Sequence, residues 1–225
     1  MVIPTKINNL FWIEKGKTLA TKNITPGITF YKEEIYREDN VEYRIWNPFK
    51  SKLSAAFLKG LPLETFRDVY KILYLGTSTG TTISHISDIV EYKGVIYGVE
   101  VAPRVMLEFI NRVAKYRRNV VPLFFDARNP LSYSDIVETP VQAVYCDVAQ
   151  PDQTKIAADN AEVFLAKGGK LFLAIKARSI DTTKSPSEIY KQEANYLRKR
   201  GFDVKEIIDL EPYEKDHAMI YAVYK

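Results

Sequence analysis

Three carboxylates stand where successive apolar runs end in this sequence. Glu100, Asp126 and Asp147 each follow a run rich in β-branched or aromatic residues. If those runs are parallel strands, their carboxyl ends share one edge of a sheet, and the three side chains ring one crevice. Glu100 is placed to accept hydrogen bonds from both hydroxyls of a ribose, and Asp126 from an adenine amino group. The series predicts a nucleoside-like ligand, whereas one such carboxylate alone is typical of ordinary strand-end capping.

A glycine-containing turn precedes these carboxylates. The segment GTSTG at 76–80 follows the apolar run 72–75, and its glycines permit a sharp strand-to-helix turn that a ligand can approach closely. Ser78 stands where a dinucleotide fingerprint has its middle glycine, and Thr81 stands where a nucleotide-hydrolase loop has lysine. By itself the turn fits any strand-to-helix connection. Together with the carboxylates it predicts S-adenosylmethionine, which is adenosine-like, lacks phosphate and carries cationic sulfur.

Apolar runs alternate with helical patterns from residue 71 onward, which is typical of a mostly parallel sheet with crossover helices. Strands are predicted at 72–75, 95–99, 120–124, 143–146, 171–175, 204–210 and 218–223, and helices near 81–91, 103–116, 153–166 and 186–200. The connection 211–217 is too short for a parallel crossover, so the last strand is predicted to be antiparallel. We therefore predict an α/β, Rossmann-like methyltransferase fold with a seven-stranded, mostly parallel sheet.

The beginning of the chain has a different pattern. Short alternating runs such as 28–31 and 41–46 predict a small β-rich unit, and 51–58 predicts a short helix that ends at Gly60. The predicted division is therefore a β-rich N-terminal domain and a Rossmann-like methyltransferase domain, at residues 1–55 and 56–225.

Composition narrows the class of protein. The chain has 225 residues, of which 46% are hydrophobic and 27% charged, with a net charge of +4. Such a chain can bury a core, so disorder is not expected. The single cysteine, Cys146, rules out an intrachain disulfide and favours a reducing compartment. No run has the length of a membrane helix or of a signal peptide, so we expect a cytoplasmic protein with no membrane contact.

Six strings in this sequence are long and specific: EYRIWNPFKSKL, YLGTSTGTTISHISDIV, FFDARNP, CDVAQPDQ, LAIKARSID and LEPYEKDHAMIYAVY. Together they span nearly the whole chain and resemble the fibrillarin family, the guide-RNA-dependent ribose 2′-O-methyltransferases. The resemblance implies an enzyme that methylates ribose in pre-rRNA and tRNA. The positions predicted to bind S-adenosylmethionine, with Gly76 of the turn included, are Gly76, Thr81, Thr82, Glu100, Val101, Asp126, Ala127, Asp147, Val148, Ala149 and Gln150.

Methyl transfer is an in-line displacement at carbon, so the enzyme must align a hydroxyl oxygen and manage one proton. Lys71, Asp147, Lys176 and His217 are predicted to converge at one sheet edge, and they resemble the family's Lys-Asp-Lys-His set. We expect Lys176, desolvated beside the sulfonium and oriented by Asp147, to contact or deprotonate the 2′-hydroxyl. Lys71 and His217 are expected to tune the charge and hold the nucleotide, with His217 as an alternative proton acceptor. For each lysine, the ordinary alternative is a solvated surface charge.

Two further residues are interpreted as structural. His85 is predicted to be a hydrogen-bonded helix residue beside the turn, with no part in catalysis. His85, Cys146 and His217 lack the spacing of zinc ligands, so no metal is predicted.

The resemblance also implies partners: a box C/D guide RNA with its target RNA, a Nop-domain scaffold protein and a kink-turn-binding ribosomal-type protein. The β-rich unit is a candidate docking surface for the scaffold. The chain lacks the long Gly/Arg-rich N-terminal segment of eukaryotic fibrillarins, which favours an archaeal, cytoplasmic version. Two alternatives stay open, a protein glutamine methyltransferase and a non-catalytic scaffold of a ribonucleoprotein.

Basic residues offer phosphate-neutralising charge, although each alone is typical of a solvated helix face. These candidates for RNA contact are Arg104, Arg112, Lys115, Arg117, Arg118, Arg178, Lys184, Lys191, Arg198, Lys199 and Arg200.

Overall fold

The larger of two sheets carries the predicted strand-and-helix alternation. A computed structural model describes residues 1–14 and 17–225. Its seven-stranded sheet has the order β11-β12-β10-β9-β6-β7-β8. The strands are β6 (Lys71–Leu75), β7 (Val95–Glu100), β8 (Val120–Phe124), β9 (Val141–Cys146), β10 (Leu165–Lys176), β11 (Phe202–Asp209) and β12 (His217–Tyr224). β12 pairs antiparallel with both β10 and β11, and the remaining pairs are parallel. The predicted seven-stranded fold and its antiparallel last strand are confirmed.

Helices cover both faces of this sheet. They are α1 (Lys52–Leu58), α2 (Thr81–Val90), α3 (Pro103–Arg112), α4 (Gln153–Phe164), α5 (Ala177–Ile180) and α6 (Pro186–Lys199). Because the central strands are covered on both sides, β6 reads as an apolar run in which residues 72–75 are all buried. The start of α6 is fixed by a capping box between Ser185 and Glu188. Among the described residues, no helix has the length and apolar character needed to cross a membrane.

The second sheet contains the N-terminal strands. It is antiparallel with the order β1-β2-β3-β5-β4. These strands are β1 (Val2–Pro4), β2 (Leu10–Ile13), β3 (Thr18–Lys22), β4 (Ile35–Glu38) and β5 (Val41–Ile45). The β-rich character predicted for this unit is confirmed. The strand pattern at 28–31 is not, because that segment forms bends that bring Phe30 against two buried arginines.

The N-terminal sheet shares its core with the larger one. Leu10, Leu19 and Trp46 belong to the same buried cluster as Ile72 of β6 and Ile83 of α2. α2 packs against β3 on one side and β7 on the other, which is why its residues 82–90 are all buried. The predicted domain boundary between residues 55 and 56 falls inside α1, and the division into two domains stays a prediction.

The chain order of the strands places a crevice in the large sheet. From β6 the chain adds β7 and β8 on one side and then crosses to β9 on the other. In an open parallel sheet, ligands bind outside the carboxyl ends of the strands at such a reversal. The loops after β6 and β9 therefore form the two walls of the expected site.

Candidate active site

A cleft opens at this crevice between β6 and β9. Its empty volume, counted out to the open mouth, is about 590 Å³. Its lining comprises Gly76, Ser78, Val99, Glu100, Val101, Phe125, Asp126, Ala127, Arg128, Asp147, Val148, Ala149, Gln150 and Ile156. We call it the donor cleft. Nine of the eleven residues predicted to bind S-adenosylmethionine line it, and Thr81 and Thr82 line the neighbouring cleft.

Glu100 organises one wall of the donor cleft through backbone amides. Its Oε2 accepts from the Ser78 N–H at 3.1 Å, and its Oε1 accepts from the N–H groups of Val101 and Ala102 at 3.0 Å each. A carboxylate has about four lone-pair positions, so these three bonds leave one for a ligand hydroxyl. The carboxylate is therefore held by three backbone amides, and its predicted contact with the ribose hydroxyls stays a prediction.

Arg128 spans the mouth of the donor cleft between the β8 and β9 loops. Its backbone N–H donates to Asp126 Oδ1 at 2.9 Å, and its Nη2 donates to Gln150 Oε1 at 2.7 Å. Apolar side chains, including Phe125 and Ile156, line the cleft beside it. These surfaces suit a flat purine ring with one polar edge toward Asp126. Sequence reasoning missed Arg128, although it directly follows the Asp126-Ala127 pair.

Gly76 allows the two walls to meet. Its φ is +80°, and a Cβ there would lie 2.6 Å from the backbone oxygen of Asp147. The Gly76 N–H donates to the Val99 carbonyl at 2.9 Å, and the Asp147 N–H donates to the Leu75 carbonyl at 2.9 Å. Only glycine fits this close backbone approach without displacing the β9 loop.

A second cleft adjoins the donor cleft and is lined by cationic side chains. Its volume is about 1010 Å³, and we call it the acceptor cleft. The residues that it shares with the donor cleft are Gly76, Ser78, Asp147, Val148 and Ala149, and those that only it contains are Lys50, Lys52, Tyr74, Thr77, Thr81, Thr82, Lys176, Glu214 and His217. Asp147 therefore faces both clefts from the wall between them.

Lys52 holds the carboxylate of Asp147. Its Nζ lies 2.9 Å from each carboxylate oxygen, and the two side chains are 20% and 24% exposed. Burial alone lowers the pKa of Lys52, but the charge and hydrogen bond of Asp147, with a smaller contribution from Glu214, raise that pKa above its ordinary value. Lys52 is therefore a fixed cation, and a poor proton acceptor at neutral pH.

The start of α1 delivers Lys52 to the cleft. Ser51 is the N-cap of α1, and its hydroxyl accepts from the Ser54 N–H. The same hydroxyl lies 2.9 Å from Thr82 Oγ1 at the start of α2. Because this bond ties the first turns of α1 and α2 together, Lys52 is fixed relative to the loop that follows β6.

Lys176 and His217 face each other across the β10–β12 pair. They are register partners at the end of β10 and the beginning of β12. The Lys215 carbonyl accepts a hydrogen bond from His217 Nδ1 at 2.7 Å. Since a carbonyl can only accept, the proton of the neutral ring lies on Nδ1, and Nε2 has its lone pair free. Lys176 is exposed, so the burial that we expected for this side chain is not observed.

The placement predicted for Lys71 is wrong. Lys71 begins β6, so it lies at the amino end of the strand, opposite the end that carries both clefts. Its Nζ is 3.3 Å from Glu138. The error came from treating a residue beside a strand as a residue at its carboxyl end. Lys52, and not Lys71, lies at this edge beside Asp147, and its signal was the earlier string NPFKSKL.

Two titratable residues lie away from the clefts. The interpretation of His85 as a structural residue is confirmed, because Thr21 and Tyr31 bond its two ring nitrogens at 2.8 and 2.7 Å. Burial raises the pKa of the Cys146 thiol to about 12, which makes it a poor nucleophile. Within residues 1–14 and 17–225, no group of three or more His, Cys, Asp or Glu side chains is placed to hold a metal ion.

Comparison with known proteins places this site in a family. The fibrillarin family model matches residues 2–225. The chain belongs to the fibrillarin family. A fibrillarin-like rRNA/tRNA 2′-O-methyltransferase of Staphylothermus marinus is 55% identical over 214 residues, which cover 95% of this chain and 91% of that protein.

Solved fibrillarin structures share the whole fold. Aeropyrum pernix fibrillarin, solved with natively bound S-adenosyl-L-methionine, is 46% identical with a TM-score of 0.88, and the match covers 99% of this chain and 98% of that one. A fibrillarin from a fibrillarin/Nop5p complex is 36% identical with a TM-score of 0.88, and the match covers 99% and 100% of the two chains. The fibrillarin match includes the N-terminal sheet and α1, so Lys52 lies within the matched region.

Proposed function

We propose that this protein transfers a methyl group from S-adenosylmethionine to ribose 2′-hydroxyls of rRNA and tRNA, directed by a box C/D guide RNA. The observation that supports this most strongly is the position of Asp147 between a cleft lined by the strand-end carboxylates and a cationic cleft. A donor in the first cleft and a ribose in the second meet at this carboxylate. The relatives named for this reaction support the choice of substrate.

In the donor cleft, the residues of this chain bind the methyl donor and set its orientation. Glu100 accepts from a ribose hydroxyl of the donor, Asp126 accepts from the adenine edge, and the apolar wall at Phe125 packs against the ring. S-adenosylmethionine bound there supplies an electrophilic methyl group on a sulfonium. The rigid β6 and β9 loops fix the direction from which an oxygen must approach, which is the condition for in-line displacement.

In the acceptor cleft the residues position the hydroxyl and take its proton. Lys52 fixes the carboxylate of Asp147, so that Asp147 can accept a hydrogen bond from the 2′-hydroxyl. Within this cleft the candidate nitrogen bases are the free Nε2 of His217 and the side chain of Lys176, which accepts a proton only in its neutral amine form. Lys176 contacts the hydroxyl in this proposal, as the sequence predicted, and His217 is the alternative base.

RNA and protein partners complete the proposal. Lys50, Lys52 and Lys176 give the acceptor cleft a positive field that suits a phosphate backbone, while a guide RNA selects the target by base pairing. The structure of a fibrillarin with Nop5p supports a Nop-domain scaffold as partner, and a kink-turn-binding protein completes the assembly. The β-rich unit stays a candidate docking surface for the scaffold, and the exposed apolar side chains at Leu107 of α3 and Phe124 of β8 offer a second candidate.

One assay tests this proposal. The chain is incubated with labelled S-adenosylmethionine, guide RNA, matched target RNA and the assembly proteins, and label is located in RNA or protein. We expect one labelled ribose at the guided position. Lys52→Ala should lower the rate by about 10²-fold or more, whereas Lys205→Ala, which breaks a different Lys–Asp pair on β11, should leave it unchanged. Label on a protein side chain, or no guide-dependent label, would refute the proposal.

A further inference from the structure

The edge of the large sheet opposite the clefts carries exposed tyrosines beside cations. Tyr70 precedes β6 and is followed by Lys71, and Tyr92 precedes β7 and is followed by Lys93. Tyr116 precedes β8. The three tyrosines are 38%, 54% and 39% exposed. Each of these three adjacent strand starts therefore presents an exposed aromatic ring next to a cation.

Two adjoining grooves at this edge share one lining residue, and we treat them together as one channel. One contains Tyr92, Lys115, Tyr116 and Arg118, the other contains Tyr70, Lys71, Lys93 and Glu138, and Gly94 lines both. A Cβ at Gly94 would lie 2.0 Å from the Tyr70 backbone oxygen, so the backbones that precede β6 and β7 approach closely where the two grooves adjoin. The lining has four cations and one carboxylate. We call this channel the amino-edge groove.

The cations differ in how far neighbours neutralise them. Lys71 and Lys93 lie 3.3 and 4.0 Å from Glu138 and Glu91. Lys115 and Arg118 are exposed, and within the described ranges neither forms a salt bridge. Their positive charge is therefore the least compensated in the groove.

The segment that carries the exposed Lys115 and Arg118 also contains a buried cation. Arg117 is fully buried and paired with Asp88, so its prediction as an RNA contact is wrong. This buried anchor fixes the backbone on which Lys115 and Arg118 project. Tyr116 is held in turn, because Phe30 packs edge-on against its ring at 6.4 Å. The groove is thus built on a rigid base.

We propose that the amino-edge groove binds a single-stranded segment of RNA, with bases stacked on Tyr70 and Tyr92 and phosphates near Lys115 and Arg118. Aromatic faces interleaved with cations are the common feature of single-strand binding surfaces. Neighbouring strands lie about 4.8 Å apart, so the three strand starts span roughly 10 Å. Tyr70 and Tyr92 can each take a different base, whereas the Lys115 ammonium lies over the ring of Tyr116.

The groove is distinct from the site of methyl transfer. β6 has five residues, which at about 3.3 Å per residue separates its two ends by roughly 16 Å. A nucleotide in the groove is therefore not the one that is methylated, and the groove holds a flanking part of an RNA. The identification of the bound polyanion as RNA rests on the proposed function. The geometry and charge of the groove are observed independently of that function.

The test measures binding of the full-length chain to a labelled, unstructured RNA of about twelve nucleotides, without methyl donor, between about 50 and 200 mM salt. Tyr70→Leu/Tyr92→Leu keeps apolar bulk and removes stacking, and we expect affinity to fall roughly fivefold or more for each tyrosine. Lys115→Ala/Arg118→Ala should lower the slope of log affinity against log salt by about 1.4, at about 0.7 for each single-strand phosphate contact. Lys205→Ala/Lys225→Ala removes the same charge at the far β11–β12 edge and should match wild type.

Each outcome decides the proposal. Weaker binding in both groove variants, with the control unchanged, supports it even if the wild-type chain transfers no methyl group. No RNA binding by wild type at about 50 mM salt, or full binding by the tyrosine variant, overturns it even if methyl transfer is normal. Intact RNA binding with loss of a protein partner would identify a protein-docking surface and would also overturn it.

Discussion

Two clusters of charged side chains join the N-terminal sheet region to the large sheet, and they differ in burial. In one, Arg44 of β5 and Arg117 bond Asp88 of α2, and all three side chains are 0% exposed. In the other, Lys52 of α1 bonds Asp147 after β9, and both side chains remain about one-fifth to one-quarter exposed. A cation–carboxylate pair is thus sealed from solvent in the first cluster and lies at a cleft wall in the second.

The clusters also differ in how completely the carboxylate is bonded. Asp88 accepts from the Thr21 hydroxyl, the Ile24 N–H and two guanidinium groups, which fills the approximately four positions of a carboxylate. Asp147 accepts from Lys52 alone among the described residues. A saturated, buried carboxylate can only support the structure, whereas one with free lone pairs at a cleft can bind a substrate. The number of hydrogen bonds that each carboxylate accepts therefore distinguishes the structural Asp88 from the active-site Asp147.

Replacing Asp147 is expected to give the largest effect on activity. Asp147→Ala removes the carboxylate that faces both clefts, and we expect methyl transfer to fall by about 10²–10⁴-fold. The free energy of unfolding should change little, because the Lys52 left behind can reach solvent. Single-turnover kinetics and urea unfolding of the same preparation measure the two quantities. Full activity in this variant would overturn the proposed site.

Replacing Asp88 should give the opposite result. Asp88→Asn leaves Arg117 buried without a carboxylate partner, while Arg44 keeps only its pair with Glu33, and such a loss costs about 3–5 kcal/mol of stability. We expect a lower urea midpoint, and a rate per folded molecule within a few fold of wild type at low temperature. If Asp88→Asn instead lost activity while remaining stable, the distinction between the two clusters would fail.

The sequence predicted most of the fold because its signals are local. Apolar runs marked all seven strands of the large sheet, and strand-end carboxylates marked three of the donor-cleft residues, Glu100, Asp126 and Asp147. The turn added Gly76, and the family resemblance added the other five. Lys52 was missed as an active-site residue because only the tertiary packing of α1 against α2 brings it to Asp147. Lys71 was misplaced because its adjacency to a strand in sequence did not tell which sheet edge it reaches. Arg117 looked like a surface cation because its buried partner, Asp88, is 29 residues away.

Gly76 tests how closely the walls of the cleft must approach. In Gly76→Ala the added Cβ meets the Asp147 backbone oxygen at 2.6 Å, in addition to the strain of a left-handed residue. At Gly168 the φ is a similar +76°, but an added Cβ would meet no atom within 4 Å. Gly168→Ala therefore measures the left-handed strain alone, about 1–2 kcal/mol. We expect Gly76→Ala to cost a further 1–3 kcal/mol or so and to weaken S-adenosylmethionine binding, measured by calorimetry. Equal behaviour of the two variants would show that the contact is unimportant.

The buried cluster should also show itself in the pH dependence of stability. Burial, together with Arg44 and Arg117, holds the pKa of His85 well below its ordinary value. Between pH 6.5 and 5 the unfolded chain therefore binds a proton at His85 that the folded chain does not bind. Stability falls as pH falls through this window, by up to about 2 kcal/mol at pH 5 from this group.

A glutamine at this position separates that contribution from other titrations. His85→Gln cannot titrate, so we expect its urea midpoint to fall less than that of wild type between pH 7 and pH 5, whatever its stability at pH 7. His217 is still present in both proteins and cancels in the comparison. Parallel loss of stability in the two proteins would mean that His85 gains its proton in the folded state, and hence that the cluster around Asp88 is open to water rather than sealed.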